Sequence, residues 1–154
     1  MLVVGGGQGG IALGARLRQL GVPSLVLDKH PRPGDQWRGR YKSLCLHDPV
    51  WYDHLPYVKF PDNWPVFAPK DKIGDWLEAY VKVMEVPYWS STEARSATWN
   101  DEAGEWVVEV EKEGQPLTLR PTHLVFATGM SGKARMPEVE GMDVFRGDVH
   151  HSSR

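Results

Sequence analysis

The sequence predicts an α/β fold: a parallel sheet begun by a strand–helix–strand unit, accompanied by an antiparallel β-meander. Three observations predict it. The apolar run LVV meets five glycines within six positions, then an amphipathic stretch, then a second apolar run, SLVLD. Farther on, Ile73, Trp76, Leu77, Tyr80, Val81 and Met84 fall at helical spacing on one stripe. Three short alternating runs separated by turn signals follow between residues 93 and 120.

Each element has its local reason. The first helix should span 8–20, with Ile11 and Ala15 one turn apart, as are Leu13 and Leu17. Gly21 is placed to cap it, and Pro23 cannot continue it. Residues 24–28 then read as a buried strand, so residues 2–28 form a βαβ unit, which requires a parallel pair with a right-handed crossover. Residues 29–70 lose periodicity and are rich in Pro, Trp, Tyr and Asp. A stretch so long without pattern marks function, and so many aromatics argue that it wraps a ligand or another part of the molecule. Asp71 is expected to cap the helix carrying the 73–84 stripe. The runs 93–99, 105–111 and 117–120 read as a half-exposed meander, with Trp106, Val108 and Val110 alternating with polar residues. Residues 123–127 (HLVFA) read as a further buried strand.

Composition narrows the class. The 154 residues are 41% hydrophobic and 25% charged, with a net charge of −2 and the signs interleaved. That is an ordinary globular balance with no basic surface for nucleic acid or anionic lipid. No apolar run approaches a membrane span, and the N-terminus lacks the charged-then-apolar order of a leader, so a cytoplasmic setting is expected. One cysteine, Cys45, excludes an internal disulfide framework and a multi-thiolate metal site. Asp148, His150 and His151 do not make a metal site either, because adjacent histidines on an extended segment point apart. Met1 lies almost inside the first strand and DVHHSSR ends without a closing element, so the chain is expected to be part of a longer polypeptide.

The opening glycines carry the chemistry. Gly5, Gly7 and Gly10 form GxGxxG, set between a strand and a helix, with Asp28 ending the next strand. Gly5 serves the tight turn, Gly7 the approach of a pyrophosphate, and Gly10 the close packing of helix on strand. Gln8 and Gly9 lie at the helix N-terminus, where free N–H groups and a partial positive charge favour phosphate. Asp28 suits a ribose hydroxyl pair and repels a 2′-phosphate. These features name an adenine dinucleotide and leave NAD and FAD open.

Further residues carry a family resemblance. Pro33-Gly34-Asp35-Gln36-Trp37, Arg40-Tyr41, and Leu44-Cys45-Leu46-His47-Asp48-Pro49 resemble the flavin-containing monooxygenases. FPDNWPVFAPKDKIGDWLEAY looks like the branch containing plant indole-3-pyruvate monooxygenases and their bacterial relatives. Ala127-Thr128-Gly129 matches the family's ATG segment. Phe145, Gly147 and His151 fit FxGxxxH, shared with Baeyer–Villiger enzymes. Asp28 replaces the family's usual Glu, and Asp35 a frequent glycine.

The resemblance spans the chain and implies a Rossmann-like FAD-binding domain, incomplete over residues 1–154. The NADPH domain and the closing FAD segment would lie in the remainder of the polypeptide. It implies FAD contacts at the glycine loop, at Asp28 and Lys29, at Gln36, Trp37, Arg40, His47 and Asp48, and at Ala127, Thr128 and Gly129. Phe145, Gly147 and His151 would face NADPH. Trp37, Tyr41 and Trp51 could wall the flavin but are read first as core, and His47 as a packed side chain rather than a proton donor. No catalytic residue is assigned. The implied reaction passes reducing equivalents from NADPH to FAD and inserts one oxygen atom of O₂ into a small organic substrate. Two alternatives are a flavin- or NAD-dependent dehydrogenase or oxidase, and a non-catalytic dinucleotide-binding fragment.

Overall fold

The computed structural model describes residues 1–130 and 134–151. The chain runs β1 (Leu2–Val4), α1 (Gln8–Gln19), β2 (Leu25–Leu27), α2 (Asp35–Arg38), α3 (Val50–Asp53), α4 (Lys70–Val83), β3 (Tyr88–Trp89), β4 (Thr92–Asn100), β5 (Glu105–Lys112), β6 (Gln115–Leu119) and β7 (Leu124–Phe126). A parallel sheet has the order β3-β2-β1-β7, and an antiparallel sheet the order β4-β5-β6. The α/β class and the meander stand as expected.

Both faces of the parallel sheet are covered, which is why its strands read as continuous apolar runs. Val3 and Val26 point to a core built with Ile11, Ala15, Leu77 and Tyr80, on the side of α1 and α4. Leu2 and Leu27 point the other way, against Val108 and Val110 of the meander. Alternation along a strand thus sends neighbouring residues into two different cores.

Four details differ from the sequence reading. The α4 helix begins at Lys70 after Pro69, so Asp71 lies inside its first turn and accepts the Lys70 ammonium at 2.6 Å. Residues 88–89 form a short edge strand pairing with β2, too brief to show a period. β7 is not buried: it forms the other edge, and Phe126 is 68% exposed. Finally, the 29–70 stretch holds two short helices and is closed on itself. Leu46 N–H donates to Ala68 O at 2.9 Å, and Lys70 N–H to Leu44 O at 3.0 Å. Phe60 and Leu55 anchor it in the helix-side core, Phe60 meeting Trp76 edge-on at 4.6 Å.

Among the described residues, no helix is long and apolar enough to cross a membrane.

Candidate functional site

From β1 the chain moves through β2 to β3 on one side, and β7 returns on the other side of β1. The strand order therefore reverses at β1, and ligands of open α/β sheets bind outside the carboxyl ends of strands at such a point. The glycine loop leaves β1 there, Asp28 follows β2, and residues 127–129 follow β7.

The glycines divide by what a side chain would meet. Gly5 has φ +110°, and a Cβ would strike the Ala127 carbonyl. A Cβ on Gly10 would overlap the Gly5 carbonyl oxygen, so α1 reaches the strand end only with glycine there. On Gly6 it would enter the Tyr88 ring, whose hydroxyl donates to Gly6 O at 3.3 Å. These three are required by the fold. Gly7 and Gly9 are not: Gly7 has φ −77°, and its Cβ would meet only Gln36 Nε2, at 3.6 Å. A Cβ on Gly9 would meet nothing within 4 Å. Neither packing nor backbone conformation explains these two glycines, and both lie at the N-terminus of α1.

Asp28 holds the loop from below. Its Oδ2 accepts the Gly6 N–H at 2.7 Å, and its Oδ1 accepts the His30 N–H at 2.8 Å, with His30 Nδ1 2.6 Å from the same oxygen. The expected ribose acceptor is thus also a brace for the loop, a task that the spacing alone did not reveal. Burial, with the negative charges of Asp28 and Asp35 adding, raises the pKa of the Tyr88 phenol, which stays neutral over Gly6.

Helix α2 brings in Gln36 and Trp37. Gly34 precedes it with φ +88°, and a Cβ there would overlap Gly74 of α4. Arg38 ties the two helices together through Asp35 (2.9 Å), Asp75 (2.8 Å) and Glu78 (3.1 Å). Burial raises the Asp35 pKa, but Arg38 and Arg32 outweigh it and hold the carboxyl below its usual range. The departure to Asp at position 35 therefore has a structural use. So fixed, Trp37 donates its indole N–H to Gln8 Oε1 at 3.1 Å. Gln36 lies beside Gly7 with both amide atoms buried and making no hydrogen bond among the described residues. Buried amides are normally satisfied, which sets this one apart.

Not every expected residue joins the site. Lys29 is exposed, Arg40 is half-buried, and neither makes a hydrogen bond to the loop. His47 is not packed: its side chain is 94% exposed and pairs loosely with Asp48 at 3.6 Å. Tyr41 and Trp51 are not core but lie exposed, whereas Trp37 packs against the core. Phe145 and Gly147 are exposed beyond β7, and His151 is half-buried. Among the described residues, no group of three or more metal-ligating side chains occurs. Sequence reasoning missed Tyr88 and His30; only the surplus glycine at position 6 hinted at the first.

Comparison with known proteins bears directly on this arrangement. A family model described as an NAD(P)-binding Rossmann-like domain matches residues 3–62. Indole-3-pyruvate monooxygenase YUCCA1 of Oryza sativa subsp. japonica is 33% identical over 153 residues, 99% of this chain and 37% of that protein. A Baeyer-Villiger monooxygenase of Streptomyces coelicolor is 32% identical over 163 residues, 99% of this chain and 26% of its own length. The chain is homologous to the N-terminal part of the flavin-dependent monooxygenases. A flavin-containing monooxygenase from Stenotrophomonas maltophilia superposes with a TM-score of 0.81 at 25% identity, covering 95% of this chain and 43% of that one. The fold is also that of OTEMO, solved in complex with FAD and NADP (TM-score 0.78, 24% identity, 99% of this chain and 30% of that one). The chain thus spans well under half the length of these monooxygenases.

Proposed function

We propose that the chain holds the pyrophosphate of FAD at the N-terminus of α1, as the FAD-binding portion of an NADPH- and O₂-dependent monooxygenase acting on a small organic substrate. One observation carries the reading: Gly7 and Gly9 are glycines that the described fold does not require, beside a Gln36 amide with no hydrogen-bond partner among the described residues. A cradle that a Cβ would fill, facing free N–H groups, fits a phosphate. Gln36 would add a side-chain donor, Trp37 and Gln8 would fix the rim, and Asp28 would take the ribose while bracing the loop. Bound FAD supplies the redox chemistry; the chain's part is to hold and orient it. Ala127, Thr128 and Gly129 would border the cofactor at the switch point. Phe145, Gly147 and His151 would serve NADPH together with the remainder of the polypeptide, which would complete both dinucleotide sites. A cytoplasmic setting suits a chain with a single cysteine.

FAD titration followed by flavin fluorescence, with the visible spectrum of the purified protein, tests the reading. Saturable uptake is expected, and a colourless protein that takes up no FAD overturns it. The match to an NAD(P)-binding family model favours a second reading, in which the loop holds NAD. Competition separates the two, because NAD should not displace FAD under the first. Oxygenated product formed with NADPH identifies a monooxygenase, and peroxide alone an oxidase.

A further inference from the structure

Beside the glycine loop lies a cavity of about 90 Å³, lined from α1, α2, α3, α4 and the segment between α3 and α4. Trp37, Phe60 and Trp76 supply its aromatic wall, and Leu55 and Leu77 extend the apolar lining. Two polar side chains reach it, Gln8 and Asp53. Asp53 Oδ2 is buried and makes no hydrogen bond among the described residues. A carboxyl oxygen buried without a partner is costly, and nothing in the fold uses it. Burial raises the Asp53 pKa, Asp48 adding and His47 opposing, so the group keeps its O–H to higher pH than an ordinary aspartate. Gln8 accepts the Trp37 indole N–H through Oε1, which leaves its NH₂ as a second donor.

We propose that this chamber binds a neutral, ring-sized organic molecule bearing one hydrogen-bond acceptor, to which the Asp53 carboxyl donates while the aromatic wall holds the ring. One water needs about 10–15 Å³ of such space, so about 90 Å³ takes roughly six heavy atoms or more. An anion would find no basic side chain in the lining to replace its hydration, and a cation would lose its hydration against apolar walls. Two donors and no basic group select an acceptor. The chamber shares Gln8 and Trp37 with the proposed cofactor rim but not Gly7, Gly9 or Gln36, so the two readings are separated by experiment.

Benzamide, neutral and strongly accepting, is the probe, and toluene the control lacking an acceptor. Indole N–H resonances of ¹⁵N-labelled protein report on Trp37 and Trp76. Benzamide should shift them saturably. Asp53→Leu should weaken binding about tenfold or more, and Asp53→Asn, which still donates, by less than about threefold. No saturable shift, or unchanged affinity in Asp53→Leu, overturns the proposal. Should Asp53→Leu not fold, the unsubstituted protein decides: benzamide affinity falls as pH rises through the Asp53 pKa, and a flat profile overturns the proposal. Asp48 and His47 act on Asp53, and His54 follows it with Nδ1 2.9 Å from Leu55 O; α1, α2 and α4 line the chamber with uncharged side chains. The midpoint must therefore survive His47→Gln and Asp48→Asn, and its loss in either refutes the assignment. Benzamide must also stay bound under saturating FAD, since displacement would make the chamber part of the cofactor site. A protein that binds benzamide but not FAD supports the chamber and refutes only the cofactor reading.

Discussion

Three glycine-to-alanine substitutions separate what the loop does for the fold from what it does for a ligand. At Gly7 the backbone is extended (φ −77°) and the new methyl would meet only Gln36 Nε2, at an ordinary 3.6 Å. Alanine lowers the entropy of the unfolded chain by about 0.4–1 kcal/mol but is a poorer N-cap by about the same amount. Stability should therefore change by less than about 1 kcal/mol. Gly9 lies inside α1 with open space around it, so Gly9→Ala should stabilise by up to about 1 kcal/mol. Gly10→Ala instead drives a methyl into the Gly5 carbonyl oxygen and should cost about 1–3 kcal/mol or more. Ligand binding should rank differently. A methyl at Gly7 stands where a phosphate oxygen would approach, and losing one charge-assisted hydrogen bond of about 1.5–3 kcal/mol weakens FAD binding roughly ten- to a hundredfold. Thermal unfolding and FAD titration of each variant measure both quantities. Unchanged FAD affinity in a folded Gly7→Ala protein refutes the cradle. A Gly10→Ala protein as stable as its parent refutes the packing argument.

Three further outcomes follow from the same geometry. Gly34→Ala meets both a φ of +88° and the Gly74 backbone, so it should destabilise by about 1–3 kcal/mol and, by releasing α2, weaken FAD binding as well; calorimetry and titration check both. Tyr88→Phe removes one hydrogen bond to Gly6 O, a loss of about 0.5–1.5 kcal/mol in thermal unfolding, while Gly6→Ala should be worse because the ring itself blocks the methyl. Asp35, held below the ordinary aspartate range by Arg38 and Arg32 against burial, contributes stability present above its unfolded-state pKa and lost as pH falls through its lower folded pKa. Unfolding between pH 5 and pH 2 should therefore show a steeper acid loss in the parent than in Asp35→Asn, and equal slopes would contradict the ion-pair assignment.

Local sequence determined much of this protein. Strand, glycine turn, helix and strand in 2–28 are short-range features, and the observed β1, α1 and β2 fall within those bounds. The 73–84 stripe is buried as its period requires, and the meander alternates as a sheet half-covered by one neighbour must. Boundaries shifted where local cues competed, as at α4, where Pro69 supplies the extended backbone that Asp71 was expected to supply.

Tertiary structure decided what depends on distant neighbours. Whether HLVFA is buried turns on its being an edge strand, which no property of those five residues encodes. His47 and Trp51 are exposed because the 29–70 stretch closes through its own backbone bonds, spending Phe60 and Leu55 on the core instead. The glycines of GGGQGG look alike in sequence, yet Gly5, Gly6 and Gly10 answer to Ala127, Tyr88 and the loop's own carbonyl, while Gly7 and Gly9 face no tight contact among the described residues. The physical reason is the same throughout: periodicity and turn chemistry act over a few residues, whereas steric contact joins residues more than eighty positions apart. The sequence therefore determined that a glycine turn joins strand to helix, and only the packed structure decided which of its glycines the fold itself requires.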